Sequence, residues 1–168
     1  IKYSKRSETC YCLSDGEVSV VSPSGSISSI KLKSKGSASL FSIRGDDKLM
    51  VVCVDSTHLE VVDLEKRKSI SAFKVGDNVH GLLYSSTGHI HVVTSTQYIR
   101  FDTVGQIVDQ SGFSSTVDHA FLLSEESALV RKNGVYSFFN ASVPVDISLD
   151  VGSIDCAAVS DTFLVTGL

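Results

Sequence analysis

Residues 36–76 read GSASLFSIRGDDKLMVVCVDSTHLEVVDLEKRKSISAFKVG. Four apolar runs rich in β-branched residues alternate there with turn-forming residues, and no run has the apolar spacing of an amphipathic helix. We predict strands at 38–43, 49–54, 58–64 and 70–75. Gly45-Asp46-Asp47 and residues 65–68 are predicted turns. Residues 36–76 therefore predict one unit of four antiparallel strands.

A period of about 40 residues runs through the whole chain. Its first landmark is a serine after a tyrosine or an apolar residue, predicted to occupy equivalent positions: Ser4, Ser42, Ser85, Ser124 and Ser160, spaced by 38, 43, 39 and 36 residues. Its second landmark lies about half a period later, at Val21-Ser22, Val62-Asp63, Phe101-Asp102 and Phe139-Asn140. Two landmarks with one period predict a β-propeller, in which each period forms one four-stranded blade.

The predicted fold class is all-β, a propeller of four-stranded antiparallel blades with about four and a half blades present. We place the blades at approximately 1–35, 36–77, 78–114 and 115–153, followed by a half blade at 154–168. Asp15-Gly16 and Asn133-Gly134 predict hairpin turns, because these residues tolerate positive φ angles. An open arc of blades leaves strand edges unpaired, so we expect residues 1–168 to be part of a larger propeller of about seven blades. A closed ring of four blades is the alternative.

The composition argues against a nucleic-acid-binding or membrane-spanning protein. The net charge is −4 and the signs are interspersed, which gives no continuous basic face for a phosphate backbone. The longest apolar runs are strand-sized, well below the roughly 20 residues that span a membrane. We therefore expect no membrane span and no direct contact with nucleic acid.

Four cysteines bear on the cellular compartment: Cys10, Cys12, Cys53 and Cys156. Three of them lie in apolar strand patterns, which favours buried free thiols. Cys10 and Cys12 are two residues apart on one predicted strand, which is poor geometry for a disulfide. We therefore expect an intracellular protein, cytoplasmic or nuclear.

The repeats resemble those of the WD40 family across essentially the whole chain. The segment from Leu13 to Val21, LSDGEVSVV, is similar to the stretch that leads to the family's Trp-Asp signature. Val21-Ser22 stands in the signature position, whereas Asp63 and Asp102 keep the aspartate of later repeats. The chain contains no tryptophan, so the resemblance is to degenerate WD40-like repeats. It implies a noncatalytic scaffold for protein–protein interaction within a larger multiprotein complex, with other protein subunits as partners.

Two other propeller types resemble parts of the chain. Residues 61–76 and 85–88 are similar to the YVTN-type repeats of bacterial surface and quinoprotein-like propellers. Residues 12–18 fit citron-homology propellers of vesicle-tethering subunits about equally well. An enzyme or cofactor-binding propeller is therefore the competing class, and it requires a polar funnel at the central channel.

No residues form a recognisable catalytic motif, and we predict no catalytic residue, no cofactor and no metal site. His89 and His91 flank Ile90 and would project from one face of a strand, a geometry that can hold zinc, but we expect partly exposed strand histidines. Two basic clusters stand out, Lys66-Arg67-Lys68 and the alternating set Lys31, Lys33 and Lys35. We interpret both as solvated, edge-protecting surface, with an acidic or phosphate-bearing partner as the functional alternative.

Binding residues in propellers concentrate in loops on a rigid scaffold. We predict one binding face, built from the turns between the second and third strands and from the connections between blades. The turns contribute Asp15, His58, Gln97 and Asn133, and the connections contribute Lys35, Asn78 and Asp118. We expect the rest of the propeller to come from flanking sequence or from a partner chain.

Overall fold

A computed structural model describes residues 1–14, 16–141, 147–149, 156–159 and 164–167 of the protein. All regular structure among these residues is β-strand, and the strands form five separate antiparallel sheets. Four sheets contain four strands in sequential order, and the fifth contains two. The prediction of an all-β chain built from four-stranded blades is therefore confirmed.

The first two blades contain eight strands. Blade 1 consists of β1 (Lys2–Ser4), β2 (Thr9–Ser14), β3 (Glu17–Val21) and β4 (Ile27–Lys31). Blade 2 consists of β5 (Ala38–Ile43), β6 (Leu49–Val54), β7 (His58–Asp63) and β8 (Lys68–Lys74). The strands predicted within residues 36–76 are confirmed. β8 begins two residues earlier than predicted, because Lys68 pairs with Asp63 at the end of β7.

The remaining blades repeat this order. Blade 3 consists of β9 (Val79–Tyr84), β10 (Ile90–Thr94), β11 (Gln97–Phe101) and β12 (Ile107–Gly112). Blade 4 consists of β13 (Val117–Leu122), β14 (Ser127–Lys132), β15 (Val135–Asn140) and β16 (Ile147–Leu149). The two-stranded sheet pairs β17 (Cys156–Val159) with β18 (Leu164–Gly167). In the hairpin between β14 and β15, Asn133 and Gly134 have φ angles of 53° and 79°, as the sequence predicts.

The two sequence landmarks differ in accuracy. The second landmark falls at the end of the third strand in all four blades, as expected. Among the serines of the first landmark, Ser4 pairs with Thr9 and Ser85 closes the equivalent hairpin with His89. In blades 2 and 4 the equivalent hairpin is closed by Arg44 and Leu123 instead. Ser42 therefore lies two residues before the hairpin position and Ser124 one residue after it. These four serines therefore share a blade region without being strictly equivalent, and Ser160 lies outside the described residues.

The apolar cores lie between consecutive blades. Met50, Val52 and Val54 of β6 pack with apolar residues of blade 1, whereas Val51 and Cys53 pack with those of blade 3. The strand β6 is therefore buried on both faces, which explains its continuous apolar sequence. A third cluster joins blades 3 and 4. Burial of each valine or leucine side chain contributes about 1.5 to 3 kcal/mol, so neighbouring blades hold one another in place.

The cysteines depart from the prediction of general burial. Cys53 is fully buried between blades 2 and 3, and burial raises the pKa of its thiol to about 11. Cys10 and Cys12 are free thiols but only half-buried. Their neighbour Tyr11 packs toward blade 2, so strand alternation directs both cysteines to the opposite face of blade 1. No helix among the described residues is long and apolar enough to cross a membrane.

Candidate functional site: the connection face

One side of the molecule carries the blade connections and the second turn of each blade; we call it the connection face. Backbone hydrogen bonds tie these two kinds of segment together. The amide of Asp55, in the β6–β7 turn, donates to the carbonyl of Ser37 in the β4–β5 connection at 2.9 Å. The amide of Ser95, in the β10–β11 turn, likewise donates to Asn78 of the β8–β9 connection at 3.0 Å. The other side carries the first and third turns of each blade, and we call it the turn face.

Lys35 and His58 lie together on the connection face. Both are exposed, and they line a shallow pocket of about 220 Å³ with Ser34, Val54 and Asp55. Two predicted binding residues from different blades are thus brought to one site that offers a cationic side chain, an imidazole and a carboxylate.

Gly36 shapes this pocket through close backbone approach. Its φ angle is 149°, and a Cβ atom there would lie 2.2 Å from an oxygen of the Asp55 carboxylate. Asp55 uses the space to accept a hydrogen bond from the amide of Ser37 at 2.9 Å. The absence of a side chain at position 36 therefore allows Asp55 to hold the connection that carries Lys35.

Asn78 and Gln97 form a second pair, in blade 3. The carbonyl of Asn78 accepts a hydrogen bond from Ser95, two residues before Gln97. Asp77 fixes this connection, since its carboxylate accepts hydrogen bonds from the Asn78 amide at 2.7 Å and from the Thr96 hydroxyl at 3.0 Å. The exposed Asn78 side chain is thereby placed beside the β10–β11 turn.

Asp118 and Asn133 form a third pair, in blade 4. The Asp118 carboxylate accepts a 2.7 Å hydrogen bond from Nε of Arg131, two residues before Asn133. Asp118 is therefore partly neutralised by a neighbour on its own blade. Asp15, the remaining predicted residue, lies outside the described residues.

The local positions of several predicted residues differ from expectation. Asp118 is the second residue of β13 rather than part of a connection, and Gln97 is the first residue of β11, whereas His58 begins β7, the strand predicted at 58–64. Lys35 and Asn78 do lie in connections, and Asn133 lies in a turn. The differences arise because antiparallel pairing continues one or two residues further into each turn than the polar sequence suggests.

The sequence analysis did not single out Glu60, whose buried side chain holds the β4–β5 connection of the connection face. Glu60 lies in β7 and is fully buried. Its two carboxylate oxygens accept hydrogen bonds from the amides of Lys33 and Ser34 at 2.7 and 2.8 Å. A charged residue in the middle of an apolar strand was the available signal, because such a group is buried only when it is paired.

His91 contradicts the expectation of partly exposed histidines in β10. It is 2% exposed, and its Nδ1 lies 2.5 Å from the hydroxyl oxygen of Tyr98. His89 is half-buried and lies near the hydroxyl of Thr87 instead. Within the part of the chain that the structure describes, no three His, Cys, Asp or Glu side chains converge as a metal site would require.

The inner strands surround a channel-like cavity of about 300 Å³. Most of its lining residues have apolar side chains, among them Leu40, Phe41, Leu82, Phe121 and Leu122, whereas polar atoms account for about half of its exposed lining surface. Ser39 and Lys2 are its polar members. The described part of the channel therefore has fewer polar side chains than the polar funnel expected of an enzyme or cofactor-binding propeller would have.

Comparison with known proteins extends this description at the level of fold. No protein-family model and no curated protein matches the sequence. Among solved structures, the WD40 repeats of RRP9 superpose with a TM-score of 0.75 at 16% identity, over 93% of this chain and 52% of that one. A chain of the mitotic checkpoint complex gives a TM-score of 0.78 at 15% identity, over 98% and 56%.

An enzyme also contains a similar propeller. Hydrazine synthase from Kuenenia stuttgartiensis gives a TM-score of 0.68 at 15% identity, over 84% of this chain and 46% of that one. The chain thus spans about half the length of the solved chains it matches. These likenesses, together with the blade topology, show that the chain has the fold of WD40-type β-propeller blades.

Proposed function

We propose that this protein is a noncatalytic interaction scaffold whose connection face binds other protein subunits of a multiprotein complex. The proposal is carried by Lys35 and His58, which line one pocket of that face, and is supported by two further sets on the same face, Asn78 with Gln97 and Asp118 with Asn133. Each pair is exposed or half-exposed and rests on hydrogen-bonded turns. Polar groups held on a rigid β-scaffold bind a protein partner with little loss of conformational entropy.

The similar structures support a role in assemblies. One of them is a chain of a mitotic checkpoint complex, and another is the set of RRP9 WD40 repeats. An intracellular location belongs to the same proposal, and the free thiols of Cys10, Cys12 and Cys53 are compatible with a reducing compartment.

We further propose that the blades at 1–35, 36–77, 78–114 and 115–153, with the half blade at 154–168, belong to a larger ring of about seven blades. Two observations support this. The chain matches 52–56% of WD40-type propellers, and blade 1 exposes apolar side chains such as Ile27, which is 74% exposed.

Affinity purification of the full-length protein from its own cells tests the binding face. One variant combines Lys35→Glu with Asn78→Ala on the connection face, and its matched control combines Lys31→Glu with Gln110→Ala on outer strands. We expect stoichiometric protein partners with the wild type and with the control, and their loss with the connection-face variant. Equal recovery with both variants would place the partner elsewhere and refute the proposal.

An enzyme or cofactor-binding propeller is the competing class, and hydrazine synthase shows that this fold also occurs in enzymes. Lys2 has the only ionisable side chain among the described residues that line the channel, which gives that class less support. A citron-homology-type propeller of a vesicle-tethering subunit would share the scaffold role. It would be distinguished by the identity of the recovered partners.

A further inference from the structure

We propose that a second site, on the turn face between blades 1 and 2, binds an acidic peptide segment of a partner protein. The site is a cavity of about 370 Å³ formed by β1, β5 and the turns that follow them. Four cationic side chains line it: Lys2, Lys5, Arg6 and Arg44. We call it the basic pocket.

The pocket is held together across the blade boundary. The hydroxyl of Ser4, at the end of β1, donates a hydrogen bond to the carboxylate of Asp47 in the β5–β6 turn. The Ser4 oxygen also accepts a hydrogen bond from the amide of Ser7 at 3.2 Å, which fixes the β1–β2 turn. The two turns that carry the cations are therefore fixed relative to each other.

The acidic groups beside the pocket are already occupied. Asp46 accepts two hydrogen bonds from the Arg44 guanidinium, at 2.8 and 2.6 Å, and a third from the amide of Lys48 at 3.0 Å. The Arg44 hydrogen bonds lower the pKa of Asp46 to about 2, so this carboxylate stays ionised and engaged at neutral pH. Asp47 is engaged by Ser4.

The other three cations have no such partner. Lys2, Lys5 and Arg6 are exposed, and none of them forms an ion pair with another described residue. Four cations and one carboxylate, Asp47, line the cavity, and this excess of positive charge is complementary to an anionic ligand.

The charge of the turn face is divided between the two halves of the described arc. In blades 1 and 2 the turns carry an excess of cations: six cationic side chains, namely Lys5, Arg6, Arg44, Lys48, Lys66 and Arg67, against four carboxylates, namely Glu8, Asp46, Asp47 and Glu65. The described residues of the corresponding turns in blades 3 and 4 include no lysine or arginine and three carboxylates, namely Asp102, Glu125 and Glu126. The overall net charge of −4 does not reveal this uneven distribution of charge over the turn face. An acidic segment is attracted to blades 1 and 2 and repelled by blades 3 and 4, which fixes its orientation.

A short peptide fits this pattern better than a nucleic acid. Asp46 and Asp47 lie among the cations, and the acidic turns of blades 3 and 4 continue the same face. A continuous phosphate backbone would meet these carboxylates, whereas a short run of aspartate or glutamate side chains can stay within the pocket. The acidic segment is thus distinct from the partner proposed for the connection face.

Fluorescence anisotropy with the full-length protein tests the proposal. The probe is a fluorescein-labelled octapeptide of glutamate with one central tyrosine, and the reference peptide replaces every glutamate by glutamine. Wild-type protein should bind the glutamate peptide saturably and at least about tenfold more tightly than the glutamine peptide, with affinity falling as salt rises from low to high ionic strength.

Two triple variants provide the matched comparison. Lys2→Ala, Lys5→Ala and Arg6→Ala together should weaken binding about tenfold. Lys31→Ala, Lys33→Ala and Lys74→Ala remove the same charge from exposed positions away from the pocket and should leave affinity unchanged. Lys2→Arg with Lys5→Arg keeps the charge and should keep binding.

Three outcomes would overturn the inference. One is the absence of saturable binding of the glutamate peptide to the wild type. Another is equal weakening by the two alanine triples, which would indicate a nonspecific charge effect. The third is tighter binding of an oligouridylate, or of vesicles that contain phosphatidylserine, than of the peptide under the same salt conditions. Far-ultraviolet circular dichroism confirms that each variant is folded before its affinity is interpreted.

Discussion

The carboxylate of Glu60 accepts a hydrogen bond from the backbone amide of Lys33 at 2.7 Å, across the boundary between blades 2 and 1. The second carboxylate oxygen of Glu60 accepts a hydrogen bond from the backbone amide of Ser34 at 2.8 Å. Both amides belong to the connection that leads from β4 to β5, so a side chain of blade 2 fixes the chain segment that enters it. Asp55 holds the same connection through the amide of Ser37, and Asp77 holds the β8–β9 connection through other hydrogen bonds.

Replacement of Glu60 by alanine should destabilise the protein by about 2 to 4 kcal/mol, because two backbone donors lose their partner where water has poor access. Chemical denaturation of the full-length protein measures the effect. Glu65→Ala is the control, since Glu65 is exposed in the β7–β8 turn, and it should change the unfolding free energy by less than about 0.5 kcal/mol. Similar values for the two variants would show that Glu60 does not hold the connection.

Gly36 and Gly76 offer a matched pair in two equivalent connections. Gly36→Ala should destabilise the protein by about 1 to 3 kcal/mol, because the φ angle of 149° is unfavourable for alanine. The added methyl group would also displace the Asp55 carboxylate. Gly76 has open space around its Cα, and Gly76→Ala should be neutral or slightly stabilising. Thermal unfolding of both variants checks the prediction, and a larger loss at position 76 would contradict it.

The strands could be predicted from sequence because their signals are local. The run from Leu49 to Val54 is apolar throughout, and Asn133-Gly134 has the positive φ angles that its hairpin needs. The backbone partners of Glu60, the burial of His91 and the half-exposure of Cys12 could not be predicted. Each depends on which neighbouring blade covers the strand, and one sequence does not specify that packing.

The connection face could be predicted from the sequence, whereas the basic pocket could not. The connection-face residues were predicted from blade topology, since a repeat places turns and connections on one side. The basic pocket was missed because Lys5 and Arg44 are distant in sequence and become neighbours only when blades 1 and 2 pack. The predicted cluster of Lys31, Lys33 and Lys35 does not alternate along an outer strand either. Lys31 ends β4, and the other two lie in the connection.

His91 links blade 3 to blade 4 through Tyr98. The Tyr98 hydroxyl donates to the carbonyl of Glu125 at 2.8 Å, so its oxygen accepts the proton carried by Nδ1 of His91. Nε2 is then the unprotonated nitrogen, and it is buried without a hydrogen-bond partner among the described residues. Burial lowers the pKa of His91, with Glu125 opposing this effect and Arg100 and His89 reinforcing it.

Stability should therefore fall as the pH is lowered below about 6.5, the ordinary pKa of an unfolded histidine. The unfolded state binds a proton there more readily than the folded state, so protonation favours unfolding until the lowered folded pKa is reached. Burial lowers the pKa of His80 and His119 in the same direction. Denaturation midpoints between pH 7.5 and 5.5 measure the slope.

His91→Phe isolates the contribution of one histidine to that slope. The variant should show a weaker pH dependence than the wild type, because it removes one buried group that must charge on unfolding. Tyr98 keeps its hydrogen bond to Glu125 in this variant, so the blade contact remains. An unchanged slope would show that His91 is not the responsible group, whatever the absolute stability of the variant.

The exposed face of blade 1 leads to the last prediction. Cross-strand pairing places Tyr3, Cys10, Val21 and Ile27 in one row, and Tyr3 and Ile27 are 58% and 74% exposed. Each of the three boundaries between blades 1 to 4 buries apolar rows of this kind, at about 25 cal/mol per Å². We expect the row in blade 1 to be covered in the same way by a further blade of the ring.

Residues 1–168 expressed alone should therefore aggregate or fold only partly, whereas the full-length protein should be monodisperse in size-exclusion chromatography with light scattering. Site-resolved alkylation of the full-length protein gives an independent measurement. Cys10 and Cys12 should react almost as slowly as the buried Cys53, because the next blade would cover them. Rapid alkylation of Cys10 and Cys12 in the folded full-length protein would contradict the covering of blade 1 by a further blade. A monodisperse, cooperatively melting monomer of residues 1–168 would contradict the larger ring and favour a closed propeller of four blades.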